Sequence, residues 1–280
     1  MSKNKIVPRL DFKPLDLSRM IMDPDFNTYF ISVTLVNKSG ALASFLDLLK
    51  NHNLNIIGIM GEAVTRKDEI EVSIFLETPV KMDRIKLEII IKKETSRMKV
   101  VKDIKIFDHF LEGFDADVRH FPLTIGKMRV AIFPLTVLEG FIKTLRRAFD
   151  KPISQTILWH QGKEIGKTIL ESYERDFGLK GVRALEFLRV RALLFGWTYV
   201  EIYKFEELNK TAIIRLFDNW ECELFKENDE PQNHFMRGIL TGFFNGLFGV
   251  EVDTIETKCI AKGDPFCEFT VKEKKSAEKT

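Results

Sequence analysis

Read from the amino terminus, the chain switches between two hydrophobic periods. Phe30 to Val36 alternates as a half-buried strand does, and Ala41 to His52 then repeats its apolar residues at helical spacing. The turn Asn37-Lys-Ser-Gly40 separates them, with Ser39 placed to cap the helix. Asn55 to Val64 and Ile70 to Glu77 read as two more strands joined at Arg66-Lys67-Asp68. Met82 to Thr95 reads as a second helix after Pro79, and Lys99 to Phe107 as a closing strand. The order is βαββαβ, which predicts a ferredoxin-like sheet with both helices on one face.

His109 to Lys127 loses this periodicity, and Glu112-Gly-Phe-Asp-Ala-Asp117 punctuates it as a connection would. Helical patterns follow at Leu135 to Phe149 and Ser154 to Phe177, and a later one at Asn233 to Leu247. Between them Trp197 to Phe205, Lys210 to Trp220 and Glu221 to Lys226 alternate as successive antiparallel strands. Val252 to Ile260 and Phe266 to Val271 make a final hairpin around Ala-Lys-Gly-Asp-Pro. The fold class is therefore α+β. Its parts are an extension over 1–27, a ferredoxin-like domain over 28–107, a linker over 108–127, an α+β domain over 128–272 and a charged tail over 273–280.

Two features of the second half carry chemistry. Gly162 and Gly166 fall on one helical face, and Gly238, Gly242 and Gly246 fall on another. Each glycine costs a helix about 1 kcal/mol, so the stripes predict a close approach, of two helices or of a helix and a ligand. Cys259 and Cys267 stand equally far from Gly263, which sets them opposite each other in the hairpin. Such a pair can be buried thiols, a disulfide, or half of a soft-metal site. Glu256 and His234 are the further ligand candidates. Glu256 needs a bulge or twist, because residues three apart on a regular strand face opposite sides.

Composition narrows the function classes. At 45% hydrophobic and 30% charged residues over 280 positions, the chain has ample core for two modest domains. A net charge of +2, with both signs interspersed, leaves no footprint for nucleic acid. No run approaches a membrane span and the amino terminus lacks a signal-peptide pattern, so a cytoplasmic location is expected. Three cysteines, an odd number, fit a reducing compartment better than a disulfide framework. There is no nucleotide-binding glycine loop, HExxH spacing or kinase signature, so an enzyme is not the expectation.

Residues 28 to 107 resemble the ACT domain, on the strength of Asn37-Lys-Ser-Gly40-Ala-Leu42-Ala and Asn55-Ile-Ile-Gly58. The resemblance implies an amino-acid-like effector at Asn37, Ser39 and Gly40, or self-association as a homodimer. The physics agrees, since free N–H groups at a helix start attract a carboxylate. Asn37 stands where many members of the family carry Asp.

The second half resembles the 4-vinyl reductase domain family. Its specific part is Gly238-Ile-Leu-Thr-Gly242-Phe-Phe followed by Glu256-Thr-Lys-Cys259-Ile-Ala-Lys-Gly263-Asp-Pro-Phe-Cys267-Glu-Phe269. In phenol-sensing regulators this domain holds a structural zinc ion beside an aromatic effector pocket. The resemblance implies Glu256, Cys259 and Cys267 as zinc ligands. Where those sensors place a further cysteine this chain has Asn233, for which His234 is the nearest substitute and Cys222 a more remote one. The 24 phenylalanines and the tryptophans point to an apolar or aromatic effector, with Trp197, Phe235 and Phe243 as candidate contacts. The expected function is a ligand-sensing regulatory protein that acts through a partner protein. The alternatives are an adaptor resembling subunits of vesicle-tethering complexes and a tetrapyrrole-related reductase component.

Overall fold

The computed structural model describes residues 12–17, 19–22, 27–61, 67–79, 82–109, 111, 113–126, 128–226 and 228–275. Most of the amino-terminal extension, the strand end at Val64, the turn residue Arg66, Glu112 and Lys127 of the connection, and the end of the charged tail lie outside these residues. The chain forms two compact units, 1–130 and 131–280.

In the first unit β1 (Met20–Met22) precedes β2 (Asn27–Val36), α1 (Ala41–Asn51), β3 (Asn55–Gly61), β4 (Glu69–Thr78), α2 (Arg84–Thr95) and β5 (Val101–Ile106). The last four strands form an antiparallel sheet in the order β3-β4-β2-β5, the ferredoxin-like arrangement. The alternation of β2 explains the layering. Tyr29, Ile31, Val33 and Leu35 share one core with Phe45 and Leu49 of α1 and Leu87 and Ile91 of α2, so both helices cover one face. Asp83 caps α2 by accepting the Lys86 N–H at 2.8 Å.

The stretch read as a connection is instead packed onto this unit. Its β6 (Phe114–Ala116) pairs with β1, while β7 (Leu123–Ile125) and β8 (Met128–Val130) make a small hairpin. The buried Asp115 accepts from Thr28 and meets His109 Nδ1 at 3.0 Å, and Arg119 donates to Glu71 at 2.9 Å. Polar partners, not apolar periodicity, hold the segment, which is why the pattern did not reveal it.

The second unit runs α3 (Leu135–Ala148), α4 (Lys151–Phe177), α5 (Val182–Leu194), β9 (Tyr199–Glu206), β10 (Thr211–Phe217), α6 (Trp220–Glu223), α7 (His234–Phe248), β11 (Val252–Lys258) and β12 (Cys267–Glu273). Its antiparallel sheet has the order β11-β12-β10-β9. The α5 helix was not expected; Ala184, Leu185, Leu188 and Ala192 form its buried stripe. Glu221 to Lys226 is no strand. Asn219 caps a short helix there by accepting the Glu221 N–H, and alternation over so few residues cannot tell strand from helix.

The glycine stripes bring α4 and α7 together. A Cβ on Gly162 would stand 2.1 Å from the Phe235 carbonyl oxygen, and one on Gly166 would stand 2.0 Å from that of Ile239. From the other side, Gly238 and Gly242 face the carbonyls of Trp159 and Lys163. Of the two readings of the stripes, helix against helix is the one the structure adopts.

Candidate functional site

The cysteine cluster is assembled from three segments. Register in the β11–β12 pair shifts between Glu256 and Lys258, the bulge that Glu256 needed to turn toward the cysteines. Cys259 follows the strand and starts a 3-10 turn (Ile260–Lys262) that ends at Gly263, whose φ of 91° is open to glycine without strain. Asp264 closes the turn by accepting the Cys259 N–H at 2.8 Å. Cys267 opens β12 opposite Leu216 of β10.

Cys222 comes from α6, its sulfur 3.2 Å from that of Cys259 and 3.5 Å from that of Cys267. One ligand atom from each of Cys222, Glu256, Cys259 and Cys267 lies within 4.8 Å of all the others. The three cysteines are fully buried and none is in a disulfide.

This ligand set corrects the sequence reading at one position. His234 is not in the cluster, and Cys222, the remoter candidate, is. The physical reason is the α6 turn: as a strand this segment had no reason to bend inward, whereas as a helical turn it buries Cys222 completely. His234 opens α7 among Arg146, Lys151, Arg237 and Glu230, where burial, and then those cations, push its imidazole down to about 4. It is neutral at pH 7.

The donor set fits a tetrahedral thiophilic ion. Ligands at about 2.3 Å from zinc stand about 3.8 Å apart, so the observed sulfur separations need only a few tenths of an ångström of expansion. Glu256 is pushed up to about 8 by burial and by the neighbouring Cys259. Hydrogen bonding to the other sulfurs, and then burial, drive the Cys222 thiol up, while S–H groups turned toward Cys267 draw it down to about 4. A divalent cation would satisfy this crowd of acidic groups.

Around the cluster, α7 begins in an unusual way. Asn233 occupies its N-cap position, yet the Asn233 side chain makes no capping bond. The buried Glu221 takes that task, accepting the N–H groups of Phe235 at 2.9 Å and Met236 at 2.8 Å. Burial raises its carboxyl to about 7, against the lowering effect of those N–H groups and of Arg146. Sequence reasoning missed Glu221, because a cap borrowed from a residue 14 positions upstream of the helix leaves no local pattern.

Trp197 and Phe235 meet in a satellite apolar cluster with Ile142, Leu158 and Trp220. The Trp220 and Phe235 rings lie edge to face at 6.2 Å. Within this region Trp220 Nε1 and His234 Nε2 are buried without a hydrogen-bond partner. Phe243 does not join them. It sits fully buried in the main core, its ring 6.2 Å from Tyr173 and 5.8 Å from Phe244.

In the first unit Asn37, Ser39 and Gly40 share one exposed loop. Ser39 does not cap α1; the N-cap is Gly40, at φ 82°. Asn37 Nδ2 donates to the Lys67 carbonyl at 2.9 Å, and its backbone N–H to that of Asp68. A surface groove of about 350 Å³ is lined by Pro79, Met82, Lys86, Ile89 and Ile90, and none of the three loop residues borders it.

The chain is similar to an uncharacterized protein of Methanocaldococcus jannaschii, at 29% identity over 119 residues, 42% of this chain. That stretch spans 64% of the relative, a little under two thirds of its length. Among solved structures it is similar to the phenol-responsive sensory domain of the transcription activator PoxR with phenol. That likeness has 16% identity, covers 54% of this chain and 79% of the other, and has a TM-score of 0.48. It is also similar to a vinyl-4-reductase family protein from Methanocaldococcus jannaschii, at 21% identity over 52% of this chain and 85% of the other, with a TM-score of 0.39. The family model for the 4-vinyl reductase domain matches residues 212–273, which hold Cys222, Glu256, Cys259 and Cys267, and this part of the chain is a 4-vinyl reductase domain.

Proposed function

We propose that the protein is a non-enzymatic sensor whose second unit binds a small apolar or aromatic effector and is braced by one zinc ion. The ion would be held by Cys222, Glu256, Cys259 and Cys267. With four protein ligands it keeps no open position, so its contribution is structural.

The observation that carries the effector reading is the pair of unpartnered polar atoms, Trp220 Nε1 and His234 Nε2, buried beside an apolar cluster. Buried polar groups are nearly always hydrogen-bonded, and ligand sites combine apolar walls with a few convergent polar atoms. An indole N–H donates, and a neutral imidazole can accept or donate. A hydroxyl on an aromatic or alkyl body meets that chemistry. Entry is easiest past α3, which fully buries Ile142 alone among its residues. The first unit, as an ACT-like module, would contribute an amino-acid-like effector site at Asn37 to Gly40 or a homodimer interface, and the response would pass to a partner protein.

All three tryptophans, Trp159, Trp197 and Trp220, lie in the second unit, so their fluorescence reports on it alone. Titration with phenols, alkyl alcohols and their deoxy counterparts should give saturable quenching. Trp220→Phe should weaken the hydroxyl compounds about tenfold, the worth of one hydrogen bond, and leave the deoxy compounds unchanged. Equal losses for both sets, or no saturation with any compound, would refute the effector site.

A further inference from the structure

Two amides border the cysteine cluster, and the proposed ligand set uses neither. Asn219 and Asn233 are both fully buried. Asn233 Nδ2 donates to Glu256 Oε1 at 2.5 Å and reaches Cys259 Sγ at 3.9 Å. Asn219 Nδ2 donates to Asn233 Oδ1 and reaches Cys267 Sγ at 3.9 Å. The line of contacts runs Cys267, Asn219, Asn233, Glu256 without a break.

We propose that Asn219 and Asn233 form an outer clamp of the metal centre, with Asn233 as the positioning residue that holds Glu256 in its ligating orientation. The proposal rests on the zinc reading above. Three thiolates and a carboxylate around a divalent ion leave two net negative charges (2 − 4 = −2) in a buried site, which is costly unless N–H groups face them. The two amides and the Ile260 N–H, 3.4 Å from Cys267 Sγ, are the donors there.

The way α7 starts supports the assignment independently. An asparagine at an N-cap ordinarily accepts the N–H of the second or third helical residue. Here Glu221 accepts both, and the Asn233 amide is turned to Glu256 instead. Asn233 thus stands where a cap is expected while its side chain serves the centre. Groups that orient metal ligands commonly govern affinity by about 10–100-fold.

The test uses the full chain, with zinc affinity read by competition against a chromophoric chelator and ligand geometry by the visible spectrum of the cobalt(II) form. Asn233→Ala should weaken zinc about 10–100-fold and move the cobalt spectrum toward that of Glu256→Ala. Asn233→Asp separates the roles. Aspartate caps helices as well as asparagine but has no N–H for Glu256, so a capping role predicts wild-type affinity and spectrum, and the clamp predicts that both change. Asn219→Ala should show a smaller change of the same kind, and it serves if Asn233→Ala does not fold. Asn228→Ala, which removes only an exposed bond to the Phe225 carbonyl, should change neither readout. Wild-type affinity within about twofold and an unchanged spectrum in Asn233→Ala and Asn233→Asp would overturn the clamp and leave the zinc reading standing. A wild-type protein that binds no zinc would overturn both.

Discussion

The seam between α4 and α7 allows a prediction whose sign is set by geometry. Replacing Gly242 with alanine puts a Cβ 1.8 Å from the Lys163 carbonyl oxygen, 2.7 Å from its carbon and 3.0 Å from the Lys167 nitrogen. All three are backbone atoms, so no side chain can swing aside. Ordinary contact begins near 3.4 Å, so the helices must part locally by about 1.6 Å (3.4 − 1.8). A gap of even about 0.5–1 Å forfeits about a quarter to a half of each dispersion contact across it. Overpacking of this kind costs about 1–3 kcal/mol and at times more, while alanine returns about 1 kcal/mol of helix propensity. We expect Gly242→Ala to be destabilised by a net amount of about 2–3 kcal/mol, a fall in Tm of about 5–10 °C.

Gly140→Ala is the matched control. Gly140 lies inside α3 with nothing within 4 Å of the added methyl, so only the propensity gain of about 0.5–1 kcal/mol remains. Urea unfolding followed by tryptophan fluorescence reports on the second unit in both variants. Equal stabilisation by the two alanines would show that α4 and α7 do not meet along this stripe.

Three further outcomes are expected. Native mass spectrometry should find one zinc per chain in the wild type and in His234→Ala but little in Cys222→Ser; the reverse pattern would restore His234 as the fourth ligand. Glu221→Ala removes the acceptor of two α7 N–H groups and should cost about 2 kcal/mol in urea unfolding, whereas a loss below about 0.5 kcal/mol would deny the borrowed cap. His234 has a folded pKa near 4 against about 6.5 unfolded, so the unfolded chain takes up its proton first as the solution acidifies. Its contribution is intact above about pH 6.5 and is lost as pH falls toward 4, by up to about 3 kcal/mol. Urea midpoints should therefore fall less steeply across that window in His234→Gln than in the wild type, and parallel slopes would contradict the assignment.

The sequence by itself determined whatever repeats with a period. The alternation of β2 and the helical stripe of α1 specified the first sheet and its covered face, because burying one face of an element imposes its own spacing. The glycines of α4 and α7 announced a close approach, since in mid-helix they are costly without a neighbour. Cys259 and Cys267 were legible as a pair through Gly263 between them.

Only the tertiary structure decided what depends on residues far apart in sequence. It brought Cys222 to the cluster from 37 residues before Cys259, turned Glu256 inward by a bulge, and left His234 outside. It also exchanged the duties of Glu221 and Asn233 at the start of α7. A bulge, a one-turn helix and a borrowed cap are each favoured by the atoms that meet there once the chain has folded. Their signals therefore lie in packing and hydrogen bonding, where no local pattern of residues records them.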